Sequence, residues 1–190
     1  MKRLLFASMV LFVAIIMSVS CTRTTKKGEG YKPIIGLSLD SLVVERWRRD
    51  VDSFTRAATD LDATVKLRVA NQDADTQIAQ IKSLVDSGID VLVVIPNHAD
   101  KLTEVCRMVS RKHIPVISYD RLVNRANVDL YISFDNDRVG SLMANAALSA
   151  QATGNYVIIN GAITDNNAYM INRGFHQVLD PFIASGKINW

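Results

Sequence analysis

Asp120 and Arg121 stand side by side at the end of an apolar run, Ile114-Pro-Val-Ile-Ser-Tyr-Asp-Arg121. A carboxylate only accepts hydrogen bonds and a guanidinium only donates them, so together they can meet both halves of an O–H group. That is binding chemistry, suited to a small ligand with neighbouring hydroxyls. The competing reading of the dipeptide is a surface ion pair capping a strand, which is common and weak. Polar groups recur at the ends of other apolar runs. Arg46-Trp47 opens a helix after the first run, Asn71-Gln72 follows the second, Asn97 the third, and Asp165-Asn166-Asn167 a later one. Planar Asp, Asn and Arg groups can each hold two vicinal hydroxyls, and an indole offers its face to the C–H side of a sugar. Trp47 also shares an apolar stripe with Val51, which makes it equally a core residue. Asn71 and Asn97 are more often plain turn residues, and Asp165 more often a helix cap.

Other chemistries lack their residues. His98, His113 and His176 share no ligand spacing, and the chain has no HExxH, CxxC or GxSxG. Asp135-Asn-Asp137 lacks the glycine and closing Glu of a calcium loop and reads as a helix cap. Gly36 belongs to no phosphate-cradling motif, so no nucleotide, metal or other cofactor is expected. Asp120 as a general base would need a second carboxylate at clear spacing, as in glycosidases. None is evident, and the chain is read as a binding protein, not an enzyme.

The elements that must position these groups alternate. Residues 34–39 form a short apolar strand, with Asp40 and Ser41 after it as loop and cap candidates. Residues 44–61 carry Trp47, Val51, Phe54, Ala58 and Leu61 at helical steps. In 64–70, Lys66 and Arg68 alternate with Val65, Leu67 and Val69, the pattern of an edge strand. Asp73 or Asp75 caps a helix with Ile78, Ile81, Leu84 and Val85 inward, ended by Gly88. Residues 90–95 are continuously apolar up to Pro96, as in a central parallel strand. A helix over 100–112, the strand 114–119 and a fifth strand over 128–134 follow. Short right-handed crossovers then give an α/β fold with one parallel sheet between helix layers.

A second region starts near Phe134-Asp135-Asn136. It holds a helix over 137–152 with small residues Ala144, Ala146, Ala147 and Ala150, and a buried strand over 156–160. A helix with the stripe Ala168, Ile171, Phe175, Val178 and Phe182 and a strand over 187–190 complete it. Two strands cannot bury their own faces, so residues 135–190 read as the opening of a second α/β unit.

The first 32 residues read as targeting. Lys2 and Arg3 precede an apolar run over 4–17, and Ser18, Val19 and Ser20 lead to Cys21. This is a secretory signal over residues 1–20 with a lipoprotein-type box, Cys21 being the lipid acceptor. The rival is an uncleaved anchor, since the run lies near the lower limit for spanning a bilayer. Residues 22–32 are a polar tether. The whole chain carries a formal charge of +3; without residues 1–20, twenty basic and nineteen acidic side chains remain. No basic stripe is left for nucleic acid. Cys106 sits on an apolar helical stripe, as core filler and not as nucleophile.

The start Glu45-Arg46-Trp47, Asp90-Val-Leu-Val-Val-Ile-Pro96, Tyr119-Asp-Arg121, Tyr131-Ile-Ser-Phe-Asp-Asn136 and Asp165-Asn-Asn-Ala168 together resemble the type I periplasmic sugar-binding proteins of ABC importers. The likeness covers nearly all of residues 33–190. It implies two Rossmann-like, flavodoxin-like lobes joined by a hinge and closing on one monosaccharide, a pentose and D-xylose before others. Residues 33–134 would be the N-terminal lobe, incomplete, and 135–190 the start of a truncated second. Arg46, Trp47, Asp120 and Arg121 would meet the sugar from the first lobe, and Asp165 and Asn167 from the second. The implied setting is the periplasm, with a lipid anchor at Cys21 and an ABC permease in the inner membrane as partner. The alternative within the same fold is a sensor that docks on a membrane histidine kinase.

Overall fold

The computed structural model describes Gly28 and residues 30–190; the expectations for the signal, Cys21 and most of the tether lie outside the described residues. Five parallel strands form the larger sheet: β1 (Ile34–Leu39), β2 (Thr64–Val69), β3 (Val91–Ile95), β4 (Val116–Tyr119) and β5 (Leu130–Ile132). Their spatial order is β2-β1-β3-β4-β5, with β2 at an edge as its alternation requires. This order places a topological switch point between β1 and β3, where the chain leaves neighbouring strands in opposite directions and a crevice opens.

Helices cover both faces. α1 (Glu45–Asp60) packs Trp47 against Leu39 and Ile95, with Val51, Leu67, Val69 and Tyr119 around them. α2 (Ala74–Asp86) and α3 (Thr103–Arg111) cover the other face, where Ile81, Leu84, Val105, Cys106 and Val109 meet Leu92, Val94 and Val116. Asp73 caps α2 by accepting from Thr76 N at 2.6 Å, and Gly88 ends the turn beyond it at φ +78°. Strand entry uses one device twice. The Asp90 carboxylate accepts from Ile34 N and the Asp129 carboxylate from Val116 N, each at 2.7 Å, so each aspartate ties the start of its own strand to the neighbour.

Several elements begin later than their sequence suggests. Pro115 has no N–H for the ladder, and β4 starts at Val116 rather than 114. α3 starts at Thr103 rather than 100, because Asp100 O takes both Thr103 N and Oγ1 in a preceding turn. β5 is shorter than 128–134: Asp129 is spent on Val116, and Ser133 Oγ turns away to the Asp120 carbonyl.

The second sheet pairs β6 (Gly154–Asn155) with β7 (Ile188–Asn189), also parallel. α4 (Asn136–Ala150), capped by Asp135, and α5 (Asn166–Ala184), capped by Asp165, pack on each other beside it. The buried strand expected over 156–160 is not there. Tyr156 and Ile158 pack on the cluster of Ala144, Phe175, Val178 and Leu179, whereas Val157 is 87% and Ile159 94% exposed. A helix layer covers only one face of this segment, so alternate side chains stay in water. The small residues of α4 divide between its two sides. Ala146, Ala147 and Ala150 face outward, and the close helix contact is made at Gly140, Ser141 and Ala144.

That contact is tight enough to fix two glycines. A Cβ at Gly140 would stand 2.1 Å from Ile171 O, and one at Gly174 2.1 Å from Asp137 O. Both obstacles are backbone, so a methyl must push the helices apart. Gly174→Ala is expected to destabilise the α4–α5 unit by about 2 kcal/mol, within the range for overpacked contacts. Urea unfolding followed by circular dichroism checks this, and an unchanged midpoint would contradict the packing described.

Candidate functional site

The site is built at the carboxyl ends of β1, β3 and β4, where Asp40, Asn97, and Asp120 with Arg121 respectively leave the sheet. Asp120 is the centre. It takes a left-handed backbone conformation, φ +61°, tolerable for aspartate but costly for most residues. The chain therefore turns sharply off β4, and Asp120 N still donates to Ile132 O at 2.7 Å. The Asp120 carbonyl accepts from Ser133 Oγ at 2.7 Å, Asn167 Nδ2 at 3.1 Å and Tyr131 Oη at 3.3 Å. Its carboxylate, 8% exposed, takes Arg46 on one oxygen at 2.6 Å and Asn167 Nδ2 on the other at 3.2 Å.

Each guanidinium lies between two carboxylates. Arg46 reaches Asp120 at 2.6 Å and, one helical turn along α1, Asp50 at 3.4 Å. Arg121 reaches Asp40 at 3.0 Å and Asp165 at 2.8 Å. Asp40 also accepts from Asn97 Nδ2 at 2.8 Å, and Asp50 from Tyr119 Oη at 3.0 Å. Buried Gln77 stands beneath, joining Ser38 Oγ, Ile95 O and Asn97 N at 3.2, 2.9 and 2.9 Å and so tying β1, β3 and α2 together under the site. Burial works against the Arg46 charge, but hydrogen bonding to Asp120 and the charges of Asp120 and Asp50 raise its pKa above the ordinary value. Burial, with the bond to Asp50, raises the Tyr119 pKa; burial also raises that of Tyr131. Both phenols therefore remain O–H groups at neutral pH.

Arg46, Trp47, Asp120, Arg121, Asp165 and Asn167, singled out from the sequence, are thus brought together. Trp47 is 4% exposed and forms the floor, with the Arg46 and Arg121 guanidinium carbons 4.5 and 5.7 Å from its ring centroid. The core and site readings of Trp47 meet in one residue, because its edge fills the core while cations occupy its face. Asp165 also serves twice, capping α5 through Asn167 N at 2.9 Å and holding Arg121. Asn97 is more than a turn residue through its bond to Asp40. Asn71, at φ +52°, and Asn166, which bonds to Met170, stand outside the network.

Sequence reasoning missed Asp40, Asp50, Tyr119 and Tyr131 as members. Asp40 follows β1 directly, and the expected capping role fails because Val44 is the N-cap of α1, without a side-chain bond. Asp50 lies four residues after Arg46 on a helix, a spacing that places charges together. Cys106 is fully buried, its thiol pushed up to about 12 by burial, and takes no part in the site. Among the described residues no group of three or more His, Cys, Asp or Glu side chains is arranged to hold a metal ion.

The periplasmic binding protein domain model matches residues 35–190, and the chain belongs to that family. It is 44% identical to the D-xylose-binding periplasmic protein of Haemophilus influenzae over 81% of this chain and 46% of that protein. It is 42% identical to the D-xylose-binding periplasmic protein of Escherichia coli, over 81% and 47%. The chain therefore spans about half the length of these relatives. An ABC transporter solute-binding protein from Clostridium phytofermentans, solved with bound β-D-glucose, superposes with a TM-score of 0.77 at 29% identity, over 82% of this chain and 50% of that one. The parallel-sheet α/β fold is that of the type I periplasmic binding proteins.

Removing the Asp120 charge tests the network. Asp120→Asn keeps a residue that tolerates the left-handed backbone but weakens the hold on Arg46, and is expected to cost about 1 kcal/mol. Asp120→Val adds the strain of a β-branched residue at positive φ, about 1–3 kcal/mol more. Equal urea midpoints for the two variants would show that backbone conformation is not what selects this residue.

Proposed function

We propose that this chain is the monosaccharide-binding part of an extracytoplasmic solute-binding protein, with D-xylose as ligand, and that it serves ABC-type sugar import without changing the sugar. One observation carries the reading. Arg46, Asp120, Arg121, Asp165 and Asn167 converge on one rim of the sheet, over the indole of Trp47. That set supplies charged acceptors, charged donors and an amide, the groups that hold neighbouring hydroxyls in both senses. The names of the relatives at 44% and 42% identity favour xylose over other pentoses and hexoses. On this reading residues 33–134 form the first lobe and 135–190 belong to a second, and a sugar lies between them as Arg46, Arg121 and Asn167 exchange some intraprotein bonds for hydroxyls.

The setting follows from the same reading: a periplasmic protein handed to an inner-membrane permease, with Cys21 as the site of a lipid anchor. Mass spectrometry of the chain expressed in a Gram-negative host would find diacylglycerol on Cys21, and its absence would remove the anchor.

Sugar binding is tested by titrating the ¹⁵N-labelled full chain with D-xylose and following the Trp47 indole and the Arg46 and Arg121 Nε–H signals by NMR. Saturable shifts at these groups are expected, stronger for D-xylose than for D-ribose. Arg46→Ala should weaken binding by about 1.5–3 kcal/mol, as for a lost charged hydrogen bond. Silence of all three signals with every sugar would end the proposal.

A further inference from the structure

We propose that Asp40 and Asp50 set the charge of this cleft, making it selective for neutral sugars against sugar acids. The inference rests on the sugar-binding reading and adds a rule of selectivity to it. Two guanidiniums facing a cleft would by themselves form an anion receptor, because their N–H forks match a carboxylate. Here neither is left to act so. Arg46 is shared by Asp120 and Asp50, and Arg121 by Asp165 and Asp40.

The four carboxylates divide into two pairs. Asp120 and Asp165 both accept bonds from Asn167. Asp40 and Asp50 stand behind the arginines, each held by a neutral donor, Asn97 Nδ2 for Asp40 and Tyr119 Oη for Asp50. With one pair alone, the charges of Arg46 and Arg121 would be matched. With both pairs, the six groups carry an excess of two negative charges. Asp40 is 7% exposed and the Asp50 side chain 24%, so water screens this excess less than it would at an open surface. A ligand hydroxyl can enter as donor to a carboxylate and acceptor from a guanidinium. A ligand carboxylate can only accept. It must displace a resident aspartate from its arginine or lie in the negative field.

The test uses the full chain and two matched pairs, D-glucose against D-glucuronate and xylitol against D-xylonate. Within each pair a hydroxymethyl group is replaced by a carboxylate. Wild type is expected to prefer the neutral member by about thirtyfold or more, from Coulomb repulsion at an effective dielectric near 20. Asp50→Asn, nearly the same shape, should narrow the ratio several-fold while its thermal unfolding stays that of wild type. Raising the salt concentration should narrow the wild-type ratio too, which exclusion by shape would not do. Equal affinity for acid and neutral sugar, or a ratio that neither Asp50→Asn nor salt alters, overturns the proposal and leaves sugar binding standing. If D-xylose and both neutral probes fail to bind wild type, the sugar-binding reading fails and this rule with it.

Discussion

The site depends on the way the chain leaves β4. A residue in the ordinary extended region at position 120 would carry the chain onward along the strand, and its carbonyl would point along the sheet. The left-handed turn at Asp120 instead brings its carbonyl and its carboxylate to the same side. The carbonyl then collects Ser133, Tyr131 and Asn167, while the carboxylate collects Arg46 and Asn167. One residue therefore fixes α1, β5 and α5 relative to β4. The cost of the conformation is of order 1–3 kcal/mol, and a set of charge-assisted and neutral bonds around a nearly buried residue offsets it.

The next constraint is charge. Arg121 holds together Asp40 after β1 and Asp165 at the head of α5, so it spans from the first strand of the larger sheet to the second region. Gln77 secures the floor below it from α2. Side chains held from several directions lose little further freedom when a ligand arrives, which lowers the cost of binding. Arg46 is held more loosely. Its side chain is 44% exposed, and its contact with Asp50 is longer than that with Asp120. It covers the face of Trp47. On the sugar-binding reading, a sugar that stacks on the indole must move Arg46 aside, so Arg46 rearranges more than Arg121.

The fold was legible in the sequence where one face of an element alternates or one stripe repeats. The Lys66 and Arg68 alternation correctly marked β2 as an edge, and the unbroken run after Asp90 marked β3 as central. The carboxyl-edge rule gathered Arg46, Trp47, Asp120, Arg121, Asp165 and Asn167 together with Asn71, Gln72, Asn97 and Asn166, and the family resemblance picked the first six out of that set. The edge rule failed for Asp40, whose neighbours Ser41 and Val44 made a helix cap the simpler reading. Tyr131 was out of reach for another reason. Its hydroxyl meets Asn167 of α5 at 3.2 Å, a contact across 36 residues that no local pattern encodes. Tyr156-Val-Ile-Ile-Asn160 misled because continuous apolarity signals burial on two faces, and the described residues cover only one.

On the proposed reading, the same bonds suit a site that holds a ligand without exchanging protons with it. A general base needs a lone pair aimed at a substrate proton. Both Asp120 oxygens already accept bonds, one from Arg46 at 2.6 Å and the other from Asn167 at 3.2 Å. Asp165 is likewise tied to Arg121 and to the first turn of α5. Carboxylates engaged in this way are poor proton carriers but good hydrogen-bond acceptors. Such a cluster offers donors and acceptors in fixed places, which suits the hydroxyls of a polyol in its ground state. A site whose complementarity is met by the ligand itself has no reason to hold a transition state more tightly, and that is what the proposed receptor role requires.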